Sequence, residues 1–151
     1  MIEPAKKDDV PAMVELGRLM VEESPRWRRL RYSPERVGNT LTALIESPSG
    51  LVLIARRQGL VVGGIVASVG QPWLSDELVA EEHVLFMHPQ YRASIIPARL
   101  IAAMVAWAKG KGCRWVEAGI ASGVHPERTA GLYKTLGFIP HMVGLEHEYG
   151  N

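Results

Sequence analysis

Between Val79 and Ile120 the hydrophobic period of the chain changes twice, and no other stretch constrains the fold as much. "LVAEEHVLFM" is strand-like and is ended by His88-Pro89. "PARLIAAMVAWAKGKG" then repeats at helical spacing: Leu100, Ile101, Met104, Trp107 and Ala108 share a face, and Gly110 and Gly112 supply stop signals. "CRWVEAGIA" is strand-like again. Strand 79–87, helix 95–110 and strand 114–120 therefore make one βαβ unit, with parallel strands and a right-handed crossover. Such a unit demands a central sheet with helices packed on it.

The flanking sequence supplies the rest. "IEPA" reads as a short strand. "DDVPAMVELGRLMVEE" opens with an Asp cap, puts Pro11 in the first helical turn, and spaces Met13, Leu16, Gly17 and Met20 along one face. "SPERVGNTLTALIES" starts with a Ser cap and Pro, and buries Val37, Leu41, Leu44 and Ile45. The apolar runs Leu51–Ala55 and Leu60–Val69, split by "RRQG", form a hairpin. "QPWLSDE" is a loop, "HPERTAGLYKTLGF" is a short helix ended by Gly137, and "IPHMVGLEHEY" closes the chain with strand character. The order is β-α-α-β-β-β-α-β-α-β, a mixed α/β sheet in a single domain over residues 1–151.

Composition narrows the function. With 151 residues, 47% of them hydrophobic, the chain can bury one sizeable core. A formal net charge of +1 argues against a nucleic-acid or membrane-surface partner. The local basic cluster of Arg26, Arg28, Arg29 and Arg31 is either a solvated connector or a rim for an anion. The single cysteine, Cys113, excludes an internal disulfide and a Cys-rich metal site, and suits a reducing cytoplasm. It reads as a small buried residue starting a strand. The N-terminus lacks a signal-peptide profile, and no apolar run approaches the ~20 residues of a spanning helix. His88, His125, His141 and His147 lack ligand spacing, so no metal site is expected. Nucleophile-elbow, Walker and dinucleotide glycine patterns are absent as well.

Ligands of α/β sheets bind beyond the carboxyl ends of strands, at helix N-termini. Here that is "MHPQYRASIIPARL", where Arg92, Ser94 and the N–H groups opening the helix could hold an anion; alternatively Ser94 is only a cap and Arg92 a surface residue. Thr129, Leu132, Tyr133 and Leu136 share a face, so Tyr133 points inward, either as a satisfied core tyrosine or as a general acid. On "AEEH", strict alternation puts Glu81 and His83 on one side and Glu82 with Val84 and Phe86 on the other. A carboxylate there is a general base if it faces a cleft and a solvated strand charge if it does not.

"VLFMHPQYRAS" and, farther on, "GLYKTLGF" resemble the GNAT superfamily of N-acetyltransferases, in the group with a Tyr-Arg-Gly-Ser-like loop. The likeness runs over nearly the whole element order and is densest from Val79 to Phe138. It implies the GNAT-like acyl-CoA N-acyltransferase fold, acetyl-CoA as co-substrate, and a small-molecule or protein primary amine as acceptor, attacked directly in a ternary complex. It further implies Tyr133 as the proton donor to the departing thiolate and Glu82 as the base, with Glu81 and His83 as neighbours of the same potential. For the cofactor it implies the strand residues Leu85, Phe86 and Met87, the loop residues Arg92, Ala93, Ser94, Ile95, Ile96 and Ala98, and Thr129. The family loop is Arg/Gln-x-x-Gly-x-Gly/Ala; Ile95 and Pro97 stand here at the glycine places, and Pro97 has no N–H to offer. A homodimer is compatible with the resemblance, and so is a catalytically degenerate protein that binds CoA or a protein partner. "GLEHEY" alternates Glu146 and Glu148 about His147, which would suit a cationic acceptor.

Overall fold

The computed structural model describes residues 1–150. Five strands form one sheet in chain order: β1 (Ile2–Pro4), β2 (Gly50–Arg57), β3 (Leu60–Gly70), β4 (Val79–Met87) and β5 (Val116–Glu117). The first three pairings are antiparallel, and β4 with β5 is parallel, as a strand–helix–strand crossover requires. The helices α1 (Val10–Glu23) and α2 (Pro34–Glu46) precede β2; α3 (Ile96–Gly110) joins β4 to β5; α4 (Pro126–Thr135) follows. Among the described residues, no helix is long and apolar enough to cross a membrane.

Two cores form because each sheet face is covered separately. Met13, Leu16 and Leu41 of α1 and α2 pack with Val52, Ile54, Val66 and Phe86. Leu100, Ile101 and Met104 of α3, with Tyr133 of α4, pack with Leu53, Ile65 and Ala67 on the other face. The β2–β3 hairpin turns on Gln58 and Gly59, both at positive φ, which gives the two-residue turn whose twist matches antiparallel strands. Ser33 caps α2 as its position predicts, accepting the Arg36 N–H at 3.1 Å. Asp9 does not cap α1. Its carboxylate turns back to accept the Lys6 N–H at 2.8 Å and pairs with Arg56.

The structure overturns four further expectations. First, no strand forms from "IPHMVGLEHEY": residues 138–150 are irregular and largely exposed, Leu145 at 93%. A strand needs a partner edge, and β5 is too short to offer one. Second, strand 114–120 shrinks to Val116–Glu117, because β4 and β5 diverge after the pairs Ala80↔Val116 and Glu81↔Glu117. Third, Cys113 neither starts a strand nor is fully buried. It ends α3 instead, donating its N–H to Ala108 O while Gly112 N–H reaches Lys109 O. Fourth, Glu82 does not share a face with Val84 and Phe86. Val66 pairs with Val84, but Ala67 pairs with Glu82, so His83 is an extra, bulged residue. Directly paired residues share a face. The bulge therefore puts Glu82, Leu85 and Met87 on the α3/α4 face with Ala67 and Ile65, and leaves Val84 and Phe86 facing α1.

Candidate active site

The divergence of β4 from β5 opens a cleft of about 650 Å³. Its lower end is floored by Glu82 and Tyr133, and its far end by Arg92, Ala93, Ser94 and Pro97. One wall is the end of α1, with Met20, Val21 and Trp27; the opposite wall is the segment 119–125 and the start of α4.

The bulge decides which backbone groups face the gap. His88 N–H bonds to Val62 O on β3 at 2.8 Å, whereas Ala80 N–H bonds to Trp115 O on the β5 side at 3.0 Å. Both are even-numbered, so the edge alternation has slipped by one between them. The peptide groups of Leu85 and Met87 are thereby turned toward the cleft, past the last β5 pair, and those of Phe86 toward β3. Met87 lies flat across Gly63, where an added Cβ would sit 2.3 Å from its sulfur.

At the floor, the Tyr133 hydroxyl donates to Glu82 Oε2. The pair is buried, Glu82 at 8% and Tyr133 at 4% exposure. Burial pushes the Glu82 carboxyl up to about 7, with the Tyr133 hydrogen bond opposing the rise. Burial, and then the adjacent carboxylate, push the Tyr133 hydroxyl far above its ordinary value. Among the described residues Glu82 Oε1 has no hydrogen-bond partner, and yet no buried side-chain oxygen is left unsatisfied. Oε1 is therefore the atom that opens on the cleft.

"YKTLGF" explains why Tyr133 is so firmly held. Gly137 adopts φ +94° after α4 and donates to Lys134 O at 3.1 Å; Phe138 donates to Tyr133 O at 3.1 Å. This terminal motif folds the Phe138 ring edge-on against Tyr133, with centroids 5.1 Å apart.

At the other end, Ser94 Oγ donates to Tyr91 O and accepts the Ile96 N–H at 3.3 Å, so Ser94 caps α3 from one residue before the boundary. No acceptor among the described residues takes the N–H of Ala93, Ile95 or Ala98, and the first helical bond runs from Arg99 N–H to Ile95 O. The Ile95 side chain is 55% exposed and does not line the cleft, so it leaves the loop's inner surface clear. Ile96 is buried in the α3 core, and neither it nor Ala98 lines the cleft. Arg92 does line it, but its guanidinium holds the Glu23 carboxylate in two bonds of 2.8 and 2.6 Å. That contact keeps Glu23 below the usual carboxylate range. Thr129 lines the cleft from α4, its N–H bonded to His125 O at 3.0 Å.

Sequence analysis assigns no role to Arg128 or Trp27 and weighs His125 only as a metal ligand. All three line the cleft, and Arg128 has no acidic partner among the described residues. His125 sits at φ +46°, a strained place for a residue with a side chain, and the signal for it was the His-Pro pair that opens α4. Glu146 and Glu148 are not free. Glu146 pairs with Arg26 at 2.9 Å and Arg29 at 2.7 Å, and Glu148 pairs with Arg29, on either side of Trp27. No cluster of His, Cys, Asp and Glu suited to a metal occurs among the described residues.

A sheet splayed at a bulge, with a helix opening onto the gap and a tyrosine on its floor, defines an acyl-CoA N-acyltransferase architecture. The chain belongs to the acetyltransferase (GNAT) family, whose model matches residues 15–138. Solved structures agree along the full length. A transcriptional regulator from Bacillus halodurans C-125 superposes with a TM-score of 0.79 at 20% identity, covering 99% of both chains. The aminoglycoside 6'-N-acetyltransferase AAC(6')-IG from Acinetobacter haemolyticus gives 0.76 at 17% identity, over 100% of this chain and 99% of that one. AAC(6')-Iy, in complex with the bisubstrate analogue CoA-S-monomethyl-acetylneamine, gives 0.77 at 18% identity, over 100% and 98%. At these identities the likeness is one of fold. No curated protein sequence matches the chain.

Proposed function

We propose that this protein is an acetyl-CoA-dependent N-acetyltransferase acting on a primary amine by direct attack in a ternary complex. The observation that carries the reading is the buried Tyr133–Glu82 pair on the floor of a cleft whose β4 wall offers unpaired peptide groups. Acetyl-CoA would supply an activated acyl carbon with a thiolate leaving group. The chain has groups of the right kind to hold it. The Leu85 and Met87 peptides face the cleft, as an added extended chain needs. The N–H groups of Ala93, Ile95 and Ala98 are uncommitted at the opening of α3, where the helix dipole favours an anion. Pro97 removes one donor, and Ile95 replaces a glycine without intruding.

An amine is mostly protonated at neutral pH, with a reference value of about 10.4 for lysine. Glu82 Oε1, open to the cleft and raised to about 7, is the base best matched to that task. Tyr133 is the donor for the thiolate, since its O–H stays protonated at any working pH. A cationic acceptor would enter beside Trp27, with Glu146 and Glu148 reachable once their arginines yield.

The Arg92–Glu23 ion pair favours a second reading, a degenerate family member that binds CoA or a protein partner without turnover. Calorimetry with acetyl-CoA, followed by thiol release with a panel of amines, separates the two. Heat with thiol release supports the enzyme. Heat without thiol release from any amine supports the degenerate reading, and no heat ends both forms of CoA binding. Arg92→Ala is expected to weaken acetyl-CoA about tenfold; unchanged affinity would leave the loop N–H groups as the phosphate site.

A further inference from the structure

The guanidinium at the far end of the cleft is already occupied. Arg92 lines the cleft beside Ala93, Ser94 and Pro97, yet its Nη1 and Nη2 donate to the two Glu23 oxygens at 2.8 and 2.6 Å. A planar guanidinium grips a carboxylate and a phosphate with the same fork of N–H groups. The contact joins the last residue of α1 to the loop before α3, and both side chains are partly shielded, Arg92 at 24% and Glu23 at 35% exposure. We propose that Glu23 is an internal competitor for the cofactor's phosphate, holding Arg92 while the cleft is empty and yielding it when the pyrophosphate of acetyl-CoA arrives. The proposal rests on the reading of the cleft as an acetyl-CoA site and adds a carboxylate that regulates its filling.

Electrostatics favours exchange over sharing. A phosphate that took only the remaining N–H groups of Arg92 would leave two anions on one cation, and like charges at that range repel. The phosphate also has further donors there, the uncommitted N–H groups of Ala93, Ile95 and Ala98. The Glu23 oxygens have no other hydrogen-bond partner among the described residues. The site therefore holds the phosphate more strongly than the carboxylate. The displaced carboxylate keeps a cation within range, because His125 lines the same cleft and its charge already acts on Glu23. The exchange reaches the opposite wall. The end of α1 has two ties, Glu23 to the α3 side and the Ser24 hydroxyl to Ser122 O on the α4 side. Ser24 Oγ accepts the Trp27 N–H at 2.9 Å, and Ser24 O accepts the Arg28 N–H at 3.1 Å. With the Glu23 tie lost, the turn that carries Trp27 into the cleft wall is held from one side only. Filling the cofactor end thus loosens the wall beside which an acceptor amine would enter.

Calorimetry with CoA on the native protein and on the near-isosteric Glu23→Gln tests the exchange without any turnover. Removing the competing charge is expected to tighten CoA about fivefold, the scale of a partly exposed ion pair. Equal or weaker binding would mean that Glu23 merely orients Arg92, and would overturn the proposal. Hydrogen exchange supplies a readout that an orienting carboxylate would not move. CoA is expected to slow exchange at residues 93–99 and to speed it at residues 24–30 of the native protein. The acceleration is expected to vanish in Glu23→Gln, where the tie is already weakened. Unchanged or slower exchange at 24–30 in the native protein, or an acceleration that persists in the variant, would also overturn the proposal. If CoA binds and these signs fail, only the competitor is lost and the acetyl-CoA site stands. If neither protein gives heat with CoA, the cofactor reading falls and the proposal falls with it.

Discussion

At the residue scale, the role proposed for Glu82 comes with a cost. Its carboxyl is raised from 4.5 to about 7 mainly by burial. A raised value means that the folded state prefers the neutral acid. The stability this group contributes is full below pH 4.5 and is lost as pH rises through about 7. At about 1.4 kcal/mol per pH unit, the loss is on the order of 3 kcal/mol. Glu82→Gln is therefore expected to stabilise the protein by about 1–3 kcal/mol at pH 8 and by almost nothing at pH 4, read from denaturant midpoints at the two pH values. On the proposed mechanism the same ionisation governs activity in the opposite sense. A base must be deprotonated, so kcat/KM is expected to rise with pH through about 7 and then level; His83 and His125 also line the cleft, and Glu82→Gln abolishing the rise assigns it. Tyr133→Phe is expected to lower turnover while leaving acetyl-CoA affinity within about twofold, checked by calorimetry beside kinetics.

At the element scale, the site depends on how α1 ends. Ser24, fully buried, donates to Ser122 O in the segment before α4 and accepts the Trp27 N–H at 2.9 Å. One residue earlier Glu23 clasps Arg92. The end of α1 is thus tied to both the α4 side and the α3 side of the cleft. Ser24→Ala would leave the Ser122 carbonyl and the Trp27 N–H without their partner. The expected cost is about 1–3 kcal/mol, the penalty of buried polar groups left unpaired. It is checked by thermal unfolding, with weaker protection of residues 118–125 in hydrogen exchange. Gly17, in the same helix, admits the Tyr32 ring, whose hydroxyl donates to Val14 O at 2.6 Å. The helices themselves were legible because periodicity, proline placement and glycine stops are local signals. The bulge at His83 was not, because a bulge is a mismatch between two strands and "AEEHVLF" carries only one of them.

At the scale of the whole molecule, the C-terminal stretch is held by charge rather than by packing. Ile139, Met142, Val143, Leu145 and Tyr149 are 75–93% exposed, while Glu146 and Glu148 reach Arg26 and Arg29. Exposed ion pairs contribute about 0–1 kcal/mol and weaken with salt. Limited proteolysis is therefore expected to cut within residues 139–149 first, faster at 1 M than at 0.1 M salt, and faster in Glu146→Gln; equal rates would show that something besides these pairs holds the segment. The order of elements through α4, the two helical layers and the position of the loop before α3 follow from local patterns, so the sequence by itself determined them. The tertiary structure alone decided that Glu82 faces Tyr133, that Arg92 is tied to Glu23, and that the last apolar run finds no strand to join. Each of these depends on pairing between segments far apart in the chain. A one-residue slip in such pairing reverses which side chain meets which, and no local pattern records it.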